Sequence, residues 1–326
     1  MQAVGRARGL ARATVIAAAL CVVRAAAVAG QAHPAATRAP DIATLRKTVA
    51  ALAQQSRGRL GVGVELLETR DRVVMGEQHH PMQSVYKLPI AMAVLDRVDH
   101  KTLDLDTVVN VPPAMFVWPG QHSPLRDDNP NGARVTLREL LRLNTAESDG
   151  TACDALLELI GGPAVANAYL RRIGVREMVI ATTERVMGRD QRVQYENWAT
   201  PTGALTLLRV VYERRALSDS SNALLTRFLV ETTRGNGRLR GELPAGTVVA
   251  HKPGSSGTLK GLTAATNDIG IMTLPDGRHL AVAVFLTDSK ADDATRDKVI
   301  AGVGRAAWET WVAATVRPTA APTRSP

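Results

Sequence analysis

The spacing of apolar residues predicts that the chain begins with a helix followed by strands. Asp41 is a suitable N-terminal cap for a helix that runs to about residue 56. Residues 60–68 alternate between apolar and small or polar side chains, which is typical of a strand. The Asp71-Arg72 turn then leads into a second strand over residues 73–75.

A long middle segment, from Ser84 to about Val230, has the spacing of helices. Apolar residues recur there every three or four positions, as they do on the buried face of an amphipathic helix. The pattern is clearest at residues 90–98, 137–143, 152–159, 163–173 and 201–215.

Strand patterns return towards the C-terminus and are followed by a last amphipathic helix. A hairpin signal, Pro275-Asp276-Gly277, separates the last two of these strands. The predicted strands cover residues 247–251, 262–274 and 279–288, and the helix covers about 291–316.

The order of these elements predicts an α+β fold. We expect one antiparallel sheet that both ends of the chain share, flanked by N- and C-terminal helices, with an all-helical lobe inserted. The expected α/β lobe is discontinuous, over residues 41–83 and 231–316, and the helical lobe covers 84–230. A linker at 30–40 and a disordered tail at 317–326 complete the prediction. A cleft between two such lobes is a natural active site.

The first 29 residues have the pattern of an export signal. Arg6, Arg8 and Arg12 precede an apolar run at 13–23 that is too short to span a bilayer. Small residues follow, and Ala27-Val28-Ala29 is a suitable cleavage site. We therefore expect an exported protein, periplasmic or secreted, with no stable membrane association after cleavage.

Charge and composition narrow the classes of partner. The formal net charge is +9, and cleavage would remove Arg6, Arg8, Arg12 and Arg24, leaving 9 − 4 = +5. Aromatic residues make up only 3%, and no basic cluster is interleaved with them, so we expect no nucleic-acid partner. A monomer is the default expectation.

Cysteine and histidine usage argues against a metal site. Of the two cysteines, Cys21 lies in the signal and Cys153 alone remains, so neither an internal disulfide nor a four-thiolate zinc site is expected. His79 and His80 form the only dense histidine pair. Adjacent side chains on a strand or turn point apart, so we predict no metal.

The Ser84-x-x-Lys87 motif opens the helical segment. Residues three apart lie on one face of a helix, which brings hydroxyl and ammonium together. A serine becomes a nucleophile when a base takes its proton, and a buried lysine with a depressed pKa is one such base. Alone, the pattern equally fits a capping serine beside a surface lysine.

Two further motifs follow in the chain. Ser148-Asp149-Gly150 joins two helical stretches, and its hydroxyl is placed to relay a proton. The segment from Lys252 to Ser255 ends a strand, where a lysine and backbone N–H groups suit an anionic substrate. Taken singly, these are also a turn and a glycine-rich hairpin.

In this order, the three motifs resemble those of class A serine β-lactamases and penicillin-binding proteins. The resemblance covers roughly residues 41–316, and the stretches 193–201 and 269–279 are similar to the subgroup that includes extended-spectrum enzymes. It implies a β-lactamase/D,D-peptidase-like fold, a β-lactam substrate, a role in antibiotic resistance and no cofactor.

A β-lactamase needs a base that hydrolyses the acyl-enzyme, which in class A is a glutamate of the Ω loop. The register of the subgroup places it at Glu184, with Glu196 as the alternative.

The resemblance also implies a role for each motif residue. Ser84 attacks the lactam carbonyl, and the N–H groups of Ser84 and Ser255 form the oxyanion hole. Lys87 or Glu184, the latter through a water, takes the serine proton. Ser148 protonates the leaving nitrogen, and Glu184 activates the deacylating water. Substrate contacts are expected from Lys252, Ser255, Arg238 and Gly150, and Trp118 either walls the cleft or packs inside the protein.

Four positions depart from the family pattern. Gly150 stands where an Asn usually contacts the substrate amide, and Gly188 where an Asn usually helps to hold the deacylating water. Pro253 replaces a Thr or Ser whose hydroxyl binds the substrate carboxylate, and Gln83 replaces a cysteine. Proline is tolerated at a sheet edge, so we expect Pro253 to affect substrate binding and not folding.

These departures leave two rival functions open. A D,D-peptidase would share the nucleophile and the lysine but lack the deacylating glutamate. A penicillin-binding or degraded β-lactam-sensing module would bind the drug with poor turnover, and Pro253 and Gly188 are the features that favour it.

Overall fold

The structure is a computed structural model and describes residues 39–314. Ten α-helices lie in this part of the chain: α1 Ile42–Ser56, α2 Lys87–Asp99, α3 Pro124–Asp128, α4 Leu137–Thr145, α5 Gly150–Leu159, α6 Pro163–Arg172, α7 Glu184–Arg189, α8 Pro201–Tyr212, α9 Asp219–Glu231 and α10 Asp293–Ala313. The strands of the same part are β1 Arg59–Leu66, β2 Arg72–Met75, β3 His80–Pro81, β4 Val108–Val111, β5 Ala133–Thr136, β6 Met178–Val179, β7 Trp198–Ala199, β8 Val249–Ser255, β9 Thr258–Leu259, β10 Leu262–Thr273 and β11 His279–Ser289.

The main sheet is antiparallel and is built from both ends of the described chain. Its strand order is β2-β1-β11-β10-β8, with β9 paired to β10. Val62 of β1 faces Val284 of β11, and Ile269 of β10 faces Lys252 of β8. The predicted α+β class and shared sheet are therefore confirmed. Since β8 is an edge strand, Pro253 leaves the rest of the ladder intact.

The terminal helices cover one face of this sheet. Asp41 caps α1 as predicted, because its carboxylate accepts a hydrogen bond of 3.0 Å from the N–H of Thr44. Leu45 of α1 and Trp311 of α10 pack against Val62 in an apolar cluster between helices and sheet. This burial orients the sheet so that its other face is free to meet the middle segment.

The larger apolar cluster joins that other face to the helices of the middle segment. Helix α2 is buried from Lys87 to Leu95, so its polar first residue lies among apolar neighbours. Ile269 and Phe285 of the sheet belong to the same cluster. The helices predicted at 90–98, 137–143, 152–159, 163–173 and 201–215 all form, with shifted ends.

The prediction of an all-helical segment at 84–230 is wrong in detail. Strands β4 and β5 pair within it, and β7 pairs with both β6 and β3. These strands have two to four residues, too few for an alternating pattern to stand out in the sequence. The Ser84 motif also begins as a 3₁₀ turn, Gln83–Tyr86, before α2.

Several predictions concern residues outside the described range. The signal at 1–29, most of the linker at 30–40 and the tail at 317–326 lie there. Within residues 39–314, no helix combines the length and the apolar character needed to cross a membrane.

Candidate active site

Ser84 and Lys87 lie together at the start of α2. The Nζ atom of Lys87 donates a hydrogen bond of 3.0 Å to the Oγ atom of Ser84. Lys87 is only 1% exposed, and its ammonium also forms an ion pair with the Glu184 carboxylate. One buried cation therefore connects the hydroxyl and the carboxylate.

The pKa of Lys87 differs from the depressed value considered from the sequence for a buried lysine. Burial is the largest single influence and disfavours the ammonium, but the acidic groups around it, with Glu184 first among them, together outweigh that effect, so the pKa of Lys87 is raised. A raised pKa is the opposite of the depressed pKa that suits a lysine base. The sequence motif shows the lysine and the apolar helix, but not the carboxylate that reaches it from a distant segment.

Glu184 begins the short helix α7, and a buried carboxylate holds that helix at its start. The oxygens of Asp154 accept hydrogen bonds of 2.8 Å from the N–H of Glu184 and 2.9 Å from the N–H of Arg185. Burial and the nearby negative charge of Glu184 raise the pKa of Asp154 to about 6. Sequence reasoning missed Asp154, although an acidic residue inside the apolar stretch of α5 was a usable signal.

The segment carrying Glu184 is a closed loop, here called the Ω loop (residues 180–197). Its ends are joined by the pairing of β6 with β7. Asn197 closes it further: its Oδ1 accepts from the N–H groups of Ala181 (2.7 Å) and Thr182 (2.9 Å), and its Nδ2 donates to the Thr182 carbonyl. The alternative base, Glu196, is exposed and is not among the residues that line the cavity around Ser84.

Ser148 and Lys252 meet from two different elements. The Lys252 Nζ donates a hydrogen bond of 2.9 Å to the Ser148 Oγ. Asp149 fixes this loop, because its carboxylate accepts from the N–H groups of Ala152 and Leu125. Lys252 is completely buried, and burial together with the positive charge of Lys87 lowers its pKa well below the usual value.

Arg238 and Ser255 form a second polar group beside Ser84. The Arg238 Nη2 donates a hydrogen bond of 2.6 Å to the Ser255 Oγ, and its Nε donates to Asp297 at 2.7 Å. Arg238, Ser255 and Pro253 line a cavity of about 290 Å³ that also touches Ser84 and Ser148. Pro253 therefore borders this cavity with a ring that carries no hydrogen-bonding group.

Gly254 allows β8 to pass close to Ser84. A Cβ atom at position 254 would lie 2.5 Å from the Met82 carbonyl oxygen and 3.0 Å from the Ser84 nitrogen. Only glycine fits there, and its absence of a side chain keeps the Ser84 N–H close to the end of β8.

A larger cavity of about 480 Å³ lies over Ser84. Its lining includes Ser84, Lys87, Trp118, Ser148, Gly150, Glu184, Gly188 and Ser255. Eight of the nine residues predicted for the site therefore line one of the two cavities, and the ninth, Lys252, contacts the lining residue Ser148.

Trp118 packs on the Ω loop as well as lining the cavity. Its Nε1 donates a hydrogen bond of 3.0 Å to the Arg185 carbonyl, and its ring lies 4.7 Å from the Arg189 guanidinium. Trp118 therefore both borders the cavity and packs against other residues, the two alternatives considered from the sequence.

The histidine pair has structural partners. His79 stacks on Trp198 with ring centroids 3.5 Å apart, and the Nδ1 of buried His80 lies 2.8 Å from the Thr287 hydroxyl. Among residues 39–314, no group of three or more His, Cys, Asp or Glu side chains is arranged to hold a metal ion.

Comparisons with known proteins agree with this geometry. Residues 44–311 match the family described as "Beta-lactamase enzyme family". The extended-spectrum β-lactamase PER-1 of Pseudomonas aeruginosa is 44% identical over 229 residues, which are 70% of this chain and 74% of that protein. The solved β-lactamase of Chitinophaga pinensis has 44% identity and a TM-score of 0.79, covering 82% of this chain and 98% of its own.

A solved representative of the class A β-lactamases, from Bacteroides cellulosilyticus, has 30% identity and a TM-score of 0.79 over 84% of this chain and 99% of its own. The fold, the site and these relatives place the chain in the β-lactamase enzyme family. Within that family it is a class A β-lactamase.

Proposed function

We propose that the protein hydrolyses the β-lactam amide of penicillins and cephalosporins through an acyl-enzyme on Ser84. The observation that carries the proposal is the buried Lys87 ammonium, which contacts both the Ser84 hydroxyl and the Glu184 carboxylate. A nucleophile and a base held on one cation, beside a cavity of about 480 Å³, suit two-step acyl transfer.

In acylation, the Ser84 oxygen bonds to the lactam carbonyl carbon and the ring C–N bond breaks. Because the pKa of Lys87 is raised, we assign the serine proton to Glu184 through a water. The departing nitrogen takes a proton from Ser148, which receives one from Lys252 across their hydrogen bond. The N–H groups of Ser84 and Ser255 stabilise the oxyanion.

Before deacylation, the proton that Glu184 took from Ser84 returns through solvent to Lys252, which restores the Glu184 carboxylate and the Lys252 ammonium. In deacylation, Glu184 removes a proton from a water whose oxygen attacks the acyl carbon. The bond from that carbon to the Ser84 oxygen then breaks, and the proton returns to Ser84. Arg238, Ser255 and Lys252 hold the carboxylate of the substrate, Gly150 borders its amide side chain, and Trp118 forms a wall of the cleft.

We also propose that residues 1–29 direct export, that the mature enzyme acts as a monomer in the periplasm or after secretion, and that it confers antibiotic resistance. Intact mass of protein recovered from a periplasmic extract tests the cleavage after Ala29. Growth of a susceptible host on a penicillin and on a cephalosporin, with Ser84→Ala as control, tests resistance.

The decisive experiment follows intact protein mass and free drug together, with a penicillin or cephalosporin in excess. We expect many drug molecules to be opened per protein, and Glu184→Gln to slow deacylation by about 10²–10⁴-fold and trap an adduct on Ser84. Glu196→Gln is the matched control from the same loop and should behave as wild type.

The other outcomes select the alternatives. A stoichiometric adduct that persists in the wild type would identify a penicillin-binding or sensing module, in line with Pro253 and Gly188. Release of D-alanine from a peptide ending in D-Ala-D-Ala, unchanged in Glu184→Gln, would identify a D,D-peptidase. If neither an adduct nor hydrolysis were detected, the proposal would be refuted.

A further inference from the structure

The loop of residues 117–122 contacts the Ω loop and is fixed by hydrogen bonds from the Arg126 side chain. The Arg126 guanidinium donates hydrogen bonds to three carbonyls of this loop, those of Val117 (3.2 Å), Trp118 (2.7 Å) and Gln121 (3.0 Å). Side chains that extend from the 117–122 loop are therefore presented from a fixed base.

One of these side chains reaches the main chain of Glu184. The Gln121 Nε2 donates a hydrogen bond of 2.7 Å to the Glu184 carbonyl, and its Oε1 accepts one of 3.0 Å from the Trp118 N–H. The Glu184 N–H is bound by Asp154. The backbone of the proposed base is thus held at its N–H by one element and at its carbonyl by another.

The Gln121 side-chain amide occupies space that is open because residue 188 is a glycine. A Cβ atom at position 188 would lie 2.2 Å from the Gln121 Oε1 and 2.8 Å from the Trp118 Cδ1. A side chain at 188 and the observed position of Gln121 are therefore mutually exclusive. Gly150 borders the same loop, because a Cβ there would lie 3.3 Å from the His122 carbonyl oxygen.

We propose that Gln121 is a positioning residue for deacylation, and that its amide takes the place of the side chain that Gly188 lacks. This inference rests on the proposed role of Glu184 as the base. An amide bonded to the Glu184 carbonyl limits rotation of the first turn of α7, which keeps the carboxylate directed at Ser84 and Lys87. Gln121 lines the same cavity as these residues.

The test separates acylation from deacylation by time-resolved intact mass with one penicillin in excess. Gln121→Ala should slow deacylation about tenfold, the effect of losing one hydrogen bond to a carbonyl, while acylation stays within about twofold. Gln121→Glu keeps the size but loses the donor, and should slow deacylation at least as much. Glu196→Gln is the control and should leave both steps unchanged.

A double-mutant cycle tests whether the Gln121 side chain and a side chain at position 188 compete for the same space. Gly188→Asn alone should slow deacylation, because its side chain collides with Gln121. Gly188→Asn combined with Gln121→Ala should deacylate faster than Gly188→Asn alone, since the collision with Gln121 is removed and only the contact with Trp118 remains. A double variant as slow as the product of the two single effects would overturn this competition for space.

Hydrogen exchange provides a readout that does not need turnover. Amides 184–189 should exchange faster in Gln121→Ala than in the wild type, while those of α5 stay protected. Unchanged exchange together with unchanged deacylation would refute the role of Gln121. Glu184→Gln measured in parallel distinguishes the two failures: if it traps the adduct while Gln121→Ala is normal, the inference about Gln121 alone is wrong.

Discussion

The Nζ atom of Lys252 lies 2.9 Å from the Oγ atom of Ser148, although 104 positions separate them in the chain. Lys252 comes from the edge strand β8 and Ser148 from the loop before α5. This hydrogen bond connects the sheet to the helical segment at the point where the two cavities meet. Since Lys252 is completely buried, its charge depends on its neighbours and on the pH.

The lowered pKa of Lys252 predicts a pH-dependent KM. Burial and the positive charge of Lys87 favour its neutral form, so the ammonium is lost as the pH rises at values well below the usual 10.5. We expect the KM for a penicillin to rise on this alkaline limb by about 10–100-fold, as the ion pair with the substrate carboxylate is lost. Steady-state kinetics at a series of pH values measures it.

Lys252→Met supplies the comparison. Without an ammonium at any pH, its KM should be high throughout, and the wild-type curve should approach it at alkaline pH. A wild-type KM that stays flat up to the usual range of lysine would contradict the prediction.

Asp154 predicts a pH dependence of stability with the opposite sign to an ordinary salt-bridged carboxylate. Its pKa is raised from 3.8 to about 6, so the folded protein binds a proton at pH values where the unfolded chain does not. The wild type should therefore gain stability relative to Asp154→Asn as the pH falls from about 7 to 4, by up to about 3 kcal/mol. Urea unfolding of both proteins across this range measures the difference.

If the difference between wild type and Asp154→Asn were constant with pH, the Asp154 carboxyl would not titrate differently in the folded and unfolded states.

Gly254 predicts a large effect from one methyl group. In Gly254→Ala the new Cβ would lie 2.5 Å from the Met82 carbonyl, so β8 or the Ser84 turn must move. We expect kcat/KM to fall by about 10²-fold or more, because the two N–H groups of the proposed oxyanion hole come from these segments. Kinetics with a chromogenic cephalosporin measures this.

The matched control for stability is Gly257→Ala, whose Cβ would have no neighbour within 4 Å. Its Tm should stay within about 1 °C of the wild type, while Gly254→Ala should lose several degrees, as expected for a steric overlap of 1–3 kcal/mol. An equal Tm for the two variants would show that the segments separate without cost.

Local patterns were sufficient to predict much of the fold from the sequence. Asp41 marks the start of α1, and Pro275-Asp276-Gly277 separates β10 from β11, because caps and turns depend on neighbours in the chain. The strands β6 and β7 were missed, since two residues carry no period and their pairing is decided by the closure of the Ω loop.

The site divides in the same way. Ser84 and Lys87 are close because they are three positions apart, which a motif predicts. The raised pKa of Lys87 was not predictable, because it depends on Glu184, which is 97 positions away in the chain. The position of Gln121 was not predictable either, because no motif includes it and its side chain fits only where Gly188 leaves space.

Pro253 predicts that substrate affinity can be improved by one substitution. Its ring borders the cavity that holds Arg238 and Ser255, and lies 2.9 Å from the position of a Cβ at Gly235. In Pro253→Thr a hydroxyl would enter that cavity beside the guanidinium. We expect KM for a penicillin to fall by about five- to tenfold, the effect of one hydrogen bond to a carboxylate, with kcat little changed.

The fold should accept this change, because position 253 lies on the edge strand, so no further strand depends on its backbone. Val248→Thr, at an exposed position just before the same strand, controls for an added hydroxyl and should leave KM unchanged. An unchanged KM in Pro253→Thr would show that the proline does not weaken substrate binding. The substrate carboxylate would then be fully bound by Arg238, Ser255 and Lys252. A rise in KM would instead show that contact between the ring and Gly235 shapes the cavity.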